Sequence, residues 1–175
     1  MSAFREVSSR RSWPVPLQPG EGQESVWDYP RPPRVEPRSE RIVVTCAGQV
    51  IVDTTDAVRV LETSHPPVYY LPITDFAAGV LVPVDGTTFC EFKGQARYFN
   101  VAVGDVVAKR AAWSYPRPSS GYELLADRVA LYPSKMDSCT VDGEVVTPQE
   151  GDFYGGWITS NIVGPFKGAP GTMSW

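Results

Sequence analysis

Between Ile42 and Asp53 the chain reads I-V-V-T-C-A-G-Q-V-I-V-D. Two runs rich in β-branched residues flank a single glycine, Gly48. β-branched side chains suit a pleated strand, and glycine suits the reversal between two strands. The design recurs in Tyr98 to Lys109, Y-F-N-V-A-V-G-D-V-V-A-K, around Gly104. It recurs again in Met136 to Val146, M-D-S-C-T-V-D-G-E-V-V, where Asp142-Gly143 is a strong hairpin signal. Three such hairpins predict a mainly β protein of antiparallel sheets. Val58–Leu61 and Arg128–Tyr132 read as further strands. One short helix is predicted over Thr74–Leu81, with Thr74 and Asp75 at its start and Phe76, Ala77, Val80 and Leu81 on one face. The fold class allows at most one or two such helices.

Prolines and glycines, 17 and 15 of 175 residues, exceed the ordinary share of about 12% and favour turns over long helices. A formal charge of -4 gives no basic groove for nucleic acid. No apolar run has the length of a membrane span, and no secretory leader is apparent, so neither membrane nor nucleic acid is an expected partner. Cys46, Cys90 and Cys139 are widely spaced and odd in number, which suits reduced thiols in a cytoplasmic protein. Residues 1–23 read as a flexible tail before a single β domain over 24–175. The prolines from Pro30 to Pro37 predict an extended, polyproline-like path over the surface.

The stretch Leu61 to Pro72, L-E-T-S-H-P-P-V-Y-Y-L-P, carries the one histidine, His65. Pro66 and Pro67 make it stiff and irregular, a better support for chemistry than a regular strand. Two short motifs repeat. Trp27 to Pro32 (W-D-Y-P-R-P) matches Trp113 to Pro118 (W-S-Y-P-R-P), and Phe92-Lys93-Gly94 matches Phe166-Lys167-Gly168. They suggest internal pseudo-symmetry, or a bracket of aromatics and arginine packed on a sheet edge.

Four stretches carry a family resemblance: Glu62 to Pro72, Cys90 to Tyr98 (C-E-F-K-G-Q-A-R-Y), Ala111 to Pro116 (A-A-W-S-Y-P) and the closing Phe153 to Trp175. The chain resembles the bacterial DUF427 family over roughly residues 24–175. That family is similar in fold to the β-tent group, which includes methionine-R-sulfoxide reductases and the thalidomide-binding domain of cereblon. The resemblance implies two antiparallel sheets meeting at an angle with a ligand cleft between them. Many β-tent proteins hold zinc with paired C-x-x-C motifs. This chain has none, so no metal or other cofactor is expected. The reductase motif has no match here, and its activity is not carried over.

Those stretches predict a cleft lined by Glu62, His65, Tyr70, Cys90, Lys93, Tyr98, Trp113 and Tyr115. Tyr70, Tyr98, Trp113 and Tyr115 would bind a small polar, sugar- or nucleotide-like ligand. If the cleft is catalytic, the reaction is hydrolysis. Glu62 or His65 would then serve as acid or base, Lys93 would stabilise negative charge, and Cys90 would act as a nucleophile once a neighbouring cation lowered its pKa. Each residue also has a structural reading: a turn histidine, a buried cysteine, a solvated lysine, core aromatics, a capping carboxylate. The alternative function is a non-catalytic interaction module, in which the proline-rich segments and the tail after Gly151 dock a partner or a second copy as a homo-oligomer.

Overall fold

The computed structural model describes residues 13–175. Residues 1–12 of the expected tail lie outside them. Within the described part, the Leu17 N–H donates to the Gly164 carbonyl and the Gln23 amide donates to the Ser160 carbonyl, each at 2.9 Å.

In chain order the strands are β1 (Glu24–Ser25), β2 (Arg34–Arg38), β3 (Ile42–Cys46), β4 (Gln49–Thr54) and β5 (Ala57–Leu61). Then follow β6 (Val68–Pro72), β7 (Leu81–Cys90), β8 (Gly94–Val103), β9 (Val106–Ser114) and β10 (Arg128–Leu131). The last are β11 (Ser138–Val141), β12 (Glu144–Val145), β13 (Thr147–Pro148), β14 (Trp157–Ile158) and β15 (Ile162–Val163). Seven of them form one antiparallel sheet in the order β2-β5-β6-β10-β9-β8-β7, and four form a second, β12-β11-β3-β4. The fold is mainly β, its sheets are not closed into a barrel, and no helix among the described residues reaches seven residues.

The three hairpins read from sequence are β3–β4, β8–β9 and β11–β12. Ala47 and Gly48, and Asp142 and Gly143, both take positive φ, the backbone that lets a two-residue turn follow the twist of its strands. The first and third hairpins join through β3 and β11 into the smaller sheet, while the second belongs to the larger.

Period-two alternation sorts the larger sheet's side chains. Tyr69, Leu71, Val129 and Leu131 face the smaller sheet and pack with Ile42, Val44 and Val52. Tyr70, Ala130 and Trp113, with Val58 and Val60, face the other way into a second cluster. Both faces of β5 and β10 are thus covered, which is why these two strands read as nearly unbroken apolar runs. Each wholly buried Leu, Ile or Val in these layers contributes about 1.5–3 kcal/mol.

Four features differ from the sequence expectation. The predicted helix is instead a 3-10 turn, Ile73–Asp75, then the extended Phe76 and a second turn at Ala78–Gly79. The Ala77 N–H donates to the Ile51 carbonyl, Phe76 bridges to Val52, and Asp75 accepts from the Thr54 hydroxyl rather than capping a helix. A helix so short repays its nucleation poorly, and contacts of Phe76 with β4 and of Val80 with β8 bury both side chains instead. The proline-rich path ends in a true edge strand, β2, where Pro37 is tolerated because an edge leaves half its groups unpaired. The ten-residue β7 has no clear signal in the sequence, because Pro83 and Asp85-Gly86 interrupt its pattern and a bulge falls between Val84 and Thr87. Finally, among the described residues the space between the two sheets is filled by apolar side chains, where the resemblance implied a cleft.

The buried Arg59, 3% exposed, ties the sheet edge together. It donates to Glu36 and to Glu24, each at 2.6 Å, and Glu24 also accepts from the Tyr29 hydroxyl. Burial opposes ionisation of both groups. The ion pairing outweighs it, raising the Arg59 pKa and lowering that of Glu24. Removing the cation leaves Glu24 without its ion-pair partner and Glu36 with only the longer contacts to Arg34 and Arg38. Arg59→Met is expected to lose about 3 kcal/mol of unfolding free energy, read from urea midpoints at neutral pH.

Candidate functional site

The outer face of the larger sheet carries a hollow of about 560 Å³. Its floor follows from strand register. Tyr98 of β8 stands opposite Trp113 of β9, and Trp113 stands opposite Ala130 of β10. The small Ala130 leaves the Trp113 indole N–H free to donate to the Tyr70 hydroxyl at 3.2 Å. Tyr132 closes on Trp113 with ring centroids 4.7 Å apart.

The loop after β5 forms one rim. Three distant segments hold it. The Val26 carbonyl accepts from the Ser64 N–H, the Ser64 carbonyl accepts from the Lys167 N–H, and the Pro67 carbonyl accepts from the Trp157 N–H. Pinned this way, the loop places Glu62 and His65 side by side, with Glu62 Oε2 3.4 Å from His65 Nε2. Arg31 Nε lies 3.7 Å from the other carboxylate oxygen. The end of β7 and the turn to β8 supply another rim with Cys90 and Lys93. Lys93 Nζ sits over the Tyr115 ring, 5.8 Å from its centroid.

The C-terminal segment forms the third wall. Gln149 joins His65 Nδ1 at 3.2 Å, Tyr154 meets the imidazole edge-on at 4.6 Å, and Lys167 Nζ lies 5.6 Å from the Tyr154 ring centroid. Two glycines permit this approach. A Cβ on Gly155 would come within 2.4 Å of the Trp113 ring, and one on Gly156 within 2.4 Å of Gln149 Oε1.

All eight residues singled out from sequence line this hollow: Glu62, His65, Tyr70, Cys90, Lys93, Tyr98, Trp113 and Tyr115. Arg31, Tyr132, Gln149, Phe153, Tyr154 and Lys167 line it too and were not predicted. The repeated F-K-G motif was a signal for Lys167, since both of its lysines reach the hollow. The W-x-Y-P-R-P repeat was a poorer guide. Trp113 forms the floor, whereas Trp27 donates to the Pro165 carbonyl within a separate apolar cluster. The two copies occupy unlike environments and carry no duplicated site.

His65 is 7% exposed and lies near three cations. Burial first, then Lys167, Arg31 and Lys93, push its pKa down to about 3, so the ring is neutral at pH 7. Burial likewise raises the Tyr70 and Tyr115 phenols, which stay protonated. Among the described residues no three His, Cys, Asp or Glu side chains converge as metal ligands, and no helix is long and apolar enough to cross a membrane.

Fold and site together define a mainly β protein whose larger sheet holds an aromatic, cation-rimmed cleft. Residues 34–142 match the model of a domain of unknown function, DUF427, and the chain belongs to that family. The match spans the Glu62–His65 loop and the aromatic floor, while Gln149, Tyr154 and Lys167 lie beyond it. No curated protein matches the chain.

The buried imidazole gives stability a pH signature. Between pH 6.5 and about 3 the unfolded chain takes up a proton at His65 that the fold refuses. The contribution is complete above pH 6.5 and is lost on acidification, at about 1.4 kcal/mol per pH unit. Glu24 and Glu40, with pKa values below 4.5, add their own loss only below that pH. His65→Gln should therefore flatten the stability profile between pH 6.5 and 4.5 and keep the steeper fall beneath it, measured by denaturant titration across pH. Gly156→Ala should cost about 2 kcal/mol or more through its clash with Gln149 and Pro66, read as a lowered urea midpoint.

Proposed function

We propose that the cleft binds a small polar ligand with a flat ring, of nucleotide-like or sugar-like kind. The observation that carries this reading is the convergence of an aromatic floor, three cations and a carboxylate–imidazole pair in one hollow. Its volume suits a small metabolite, and aromatic walls with a few placed polar groups are the usual build of such sites. Phe89 and Phe153 at the lining are 77% and 73% exposed, large apolar surfaces that a bound ligand would cover. The ring would lie against Trp113, Tyr98 and Tyr115, with Tyr70 at the floor and the polar edge toward Arg31, Lys93 and Lys167.

If the cleft is catalytic, hydrolysis is the reaction its groups support. Glu62 would take the proton of an attacking water and return it to the leaving group, while Lys93 offsets the negative charge that develops between those steps. Cys90 at the end of β7 is the other candidate nucleophile. A reducing, cytoplasmic setting belongs to the same proposal, as the three thiols are free and Cys46 and Cys139 are buried. The docking-module alternative has less to carry it. The segments it requires are engaged within the chain, Arg34–Arg38 in β2 and Trp157 in the core.

The test is thermal melting against a panel of nucleosides, nucleoside monophosphates, sugars and sugar phosphates at millimolar concentration. At one hundred times Kd a ligand stabilises by about 2.7 kcal/mol, a shift of roughly 5 °C or more for a chain of this size. At least one class should produce it. Lys93→Ala should melt like the wild type without ligand and lose most of the shift, because its amine is seated only on the Tyr115 ring. A panel with no stabilising member, or a shift indifferent to Lys93, would remove the reading.

A further inference from the structure

Gln149 lies in the C-terminal wall, 84 residues from His65 along the chain. The orientation of its amide is dictated by its neighbours. The Gly156 backbone N–H can only donate, and it points at Oε1 at 3.1 Å. The Lys167 carbonyl can only accept, and it lies 2.6 Å from Nε2. The amide nitrogen therefore has one hydrogen committed to Lys167 and presents the other to His65 Nδ1 at 3.2 Å. A proton on Nδ1 would set donor against donor. Nδ1 must be the bare, accepting nitrogen of a neutral ring, and the ring's proton sits on Nε2, 3.4 Å from Glu62 Oε2.

We propose that Gln149 is a positioning residue that locks His65 as the neutral Nε2–H tautomer, making the imidazole a fixed hydrogen-bond donor of the cleft and leaving Glu62 as the proton acceptor of the pair. Nδ1 is occupied by the amide and Nε2 already carries its hydrogen, so His65 offers no free basic nitrogen. The charged groups around it agree. Glu62 faces Nε2 from the same loop, while Arg31 of the N-terminal segment, Lys93 of the β7–β8 turn and Lys167 of the C-terminal segment all oppose a positive ring. Tyr154 covers the ring edge-on with no charge. A ligand that takes the Nε2–H must offer an acceptor such as a carbonyl, phosphoryl or carboxylate oxygen. That last statement rests on the binding reading above; the tautomer does not.

The chain has one histidine, so its ring nitrogens give a single set of resonances. The experiment is a long-range proton–nitrogen correlation spectrum of the uniformly 15N-labelled full chain, without ligand, from about pH 8 to about pH 4. The expected pattern is a pyrrole-type Nε2 and a pyridine-type Nδ1, unchanged over that range. A pyrrole-type Nδ1, or conversion to imidazolium with a midpoint near that of a free histidine, would overturn the proposal. Gln149→Glu places a carboxylate against Nδ1 and should bring a proton there, raising the midpoint by about two pH units. Gln149→Met, a second variant should the first not fold, removes the blocking donor and should raise the midpoint by less. A midpoint that moves in neither variant denies Gln149 its role. Because these spectra need no ligand, failure of the metabolite panel would sink the binding reading and leave the tautomer standing.

Discussion

The larger sheet has two apolar faces, and strand periodicity keeps them apart. On β6, Tyr69 and Leu71 enter the layer between the sheets, while Tyr70 between them points to the cleft. On β10, Val129 and Leu131 do the first and Ala130 the second. A slip of one residue in either strand would bury the floor of the cleft and expose the core. The apolar layer that stabilises the fold therefore also fixes which aromatics can form a floor. Ala130, opposite Trp113, is the small residue that lets the indole reach the Tyr70 hydroxyl.

Above this floor the polar groups come from irregular chain, which has no ladder of its own to hold it. The Glu62–Pro67 loop is instead held by backbone bonds to Val26, Lys167 and Trp157. N-terminal and C-terminal segments both reach this loop. Fixing the loop there sets the imidazole against Glu62 and brings Gln149 to its other nitrogen. The cost of burying a neutral histidine among cations is accepted where a histidine in water would simply titrate. Burial and charge perturb ionisation at two places in the molecule, the His65 loop and the Arg59 pairing with Glu24 and Glu36.

The departures from sequence expectation have physical causes outside the local pattern. Thr74–Leu81 has a helical face, but β4 and β8 compete for the same backbone groups and bury Phe76 and Val80 better. Leu81–Cys90 lacks clean alternation because it is an edge strand, exposed along much of its length and bent by a bulge. The cleft sits on the outer face rather than between the sheets because Ile42, Val44, Leu71 and Leu131 leave no room there. In the first and last of these a long-range contact overrode a local preference, and a local pattern cannot report it.

The β class, the three hairpins and two further strands were legible in the chain itself, because turn chemistry and β-branched runs act over a few residues. The stretches holding Glu62, His65, Cys90, Lys93 and Trp113 could be named from sequence for the same reason: their residue types are dense and their motifs short. Only the folded chain decided that these side chains share a hollow with Arg31, Gln149, Tyr154 and Lys167. It also decided which nitrogen of His65 carries the proton. The partners in that network stand as far as 84 residues apart, and their hydrogen bonds depend on distance in space, on which spacing along the chain is silent.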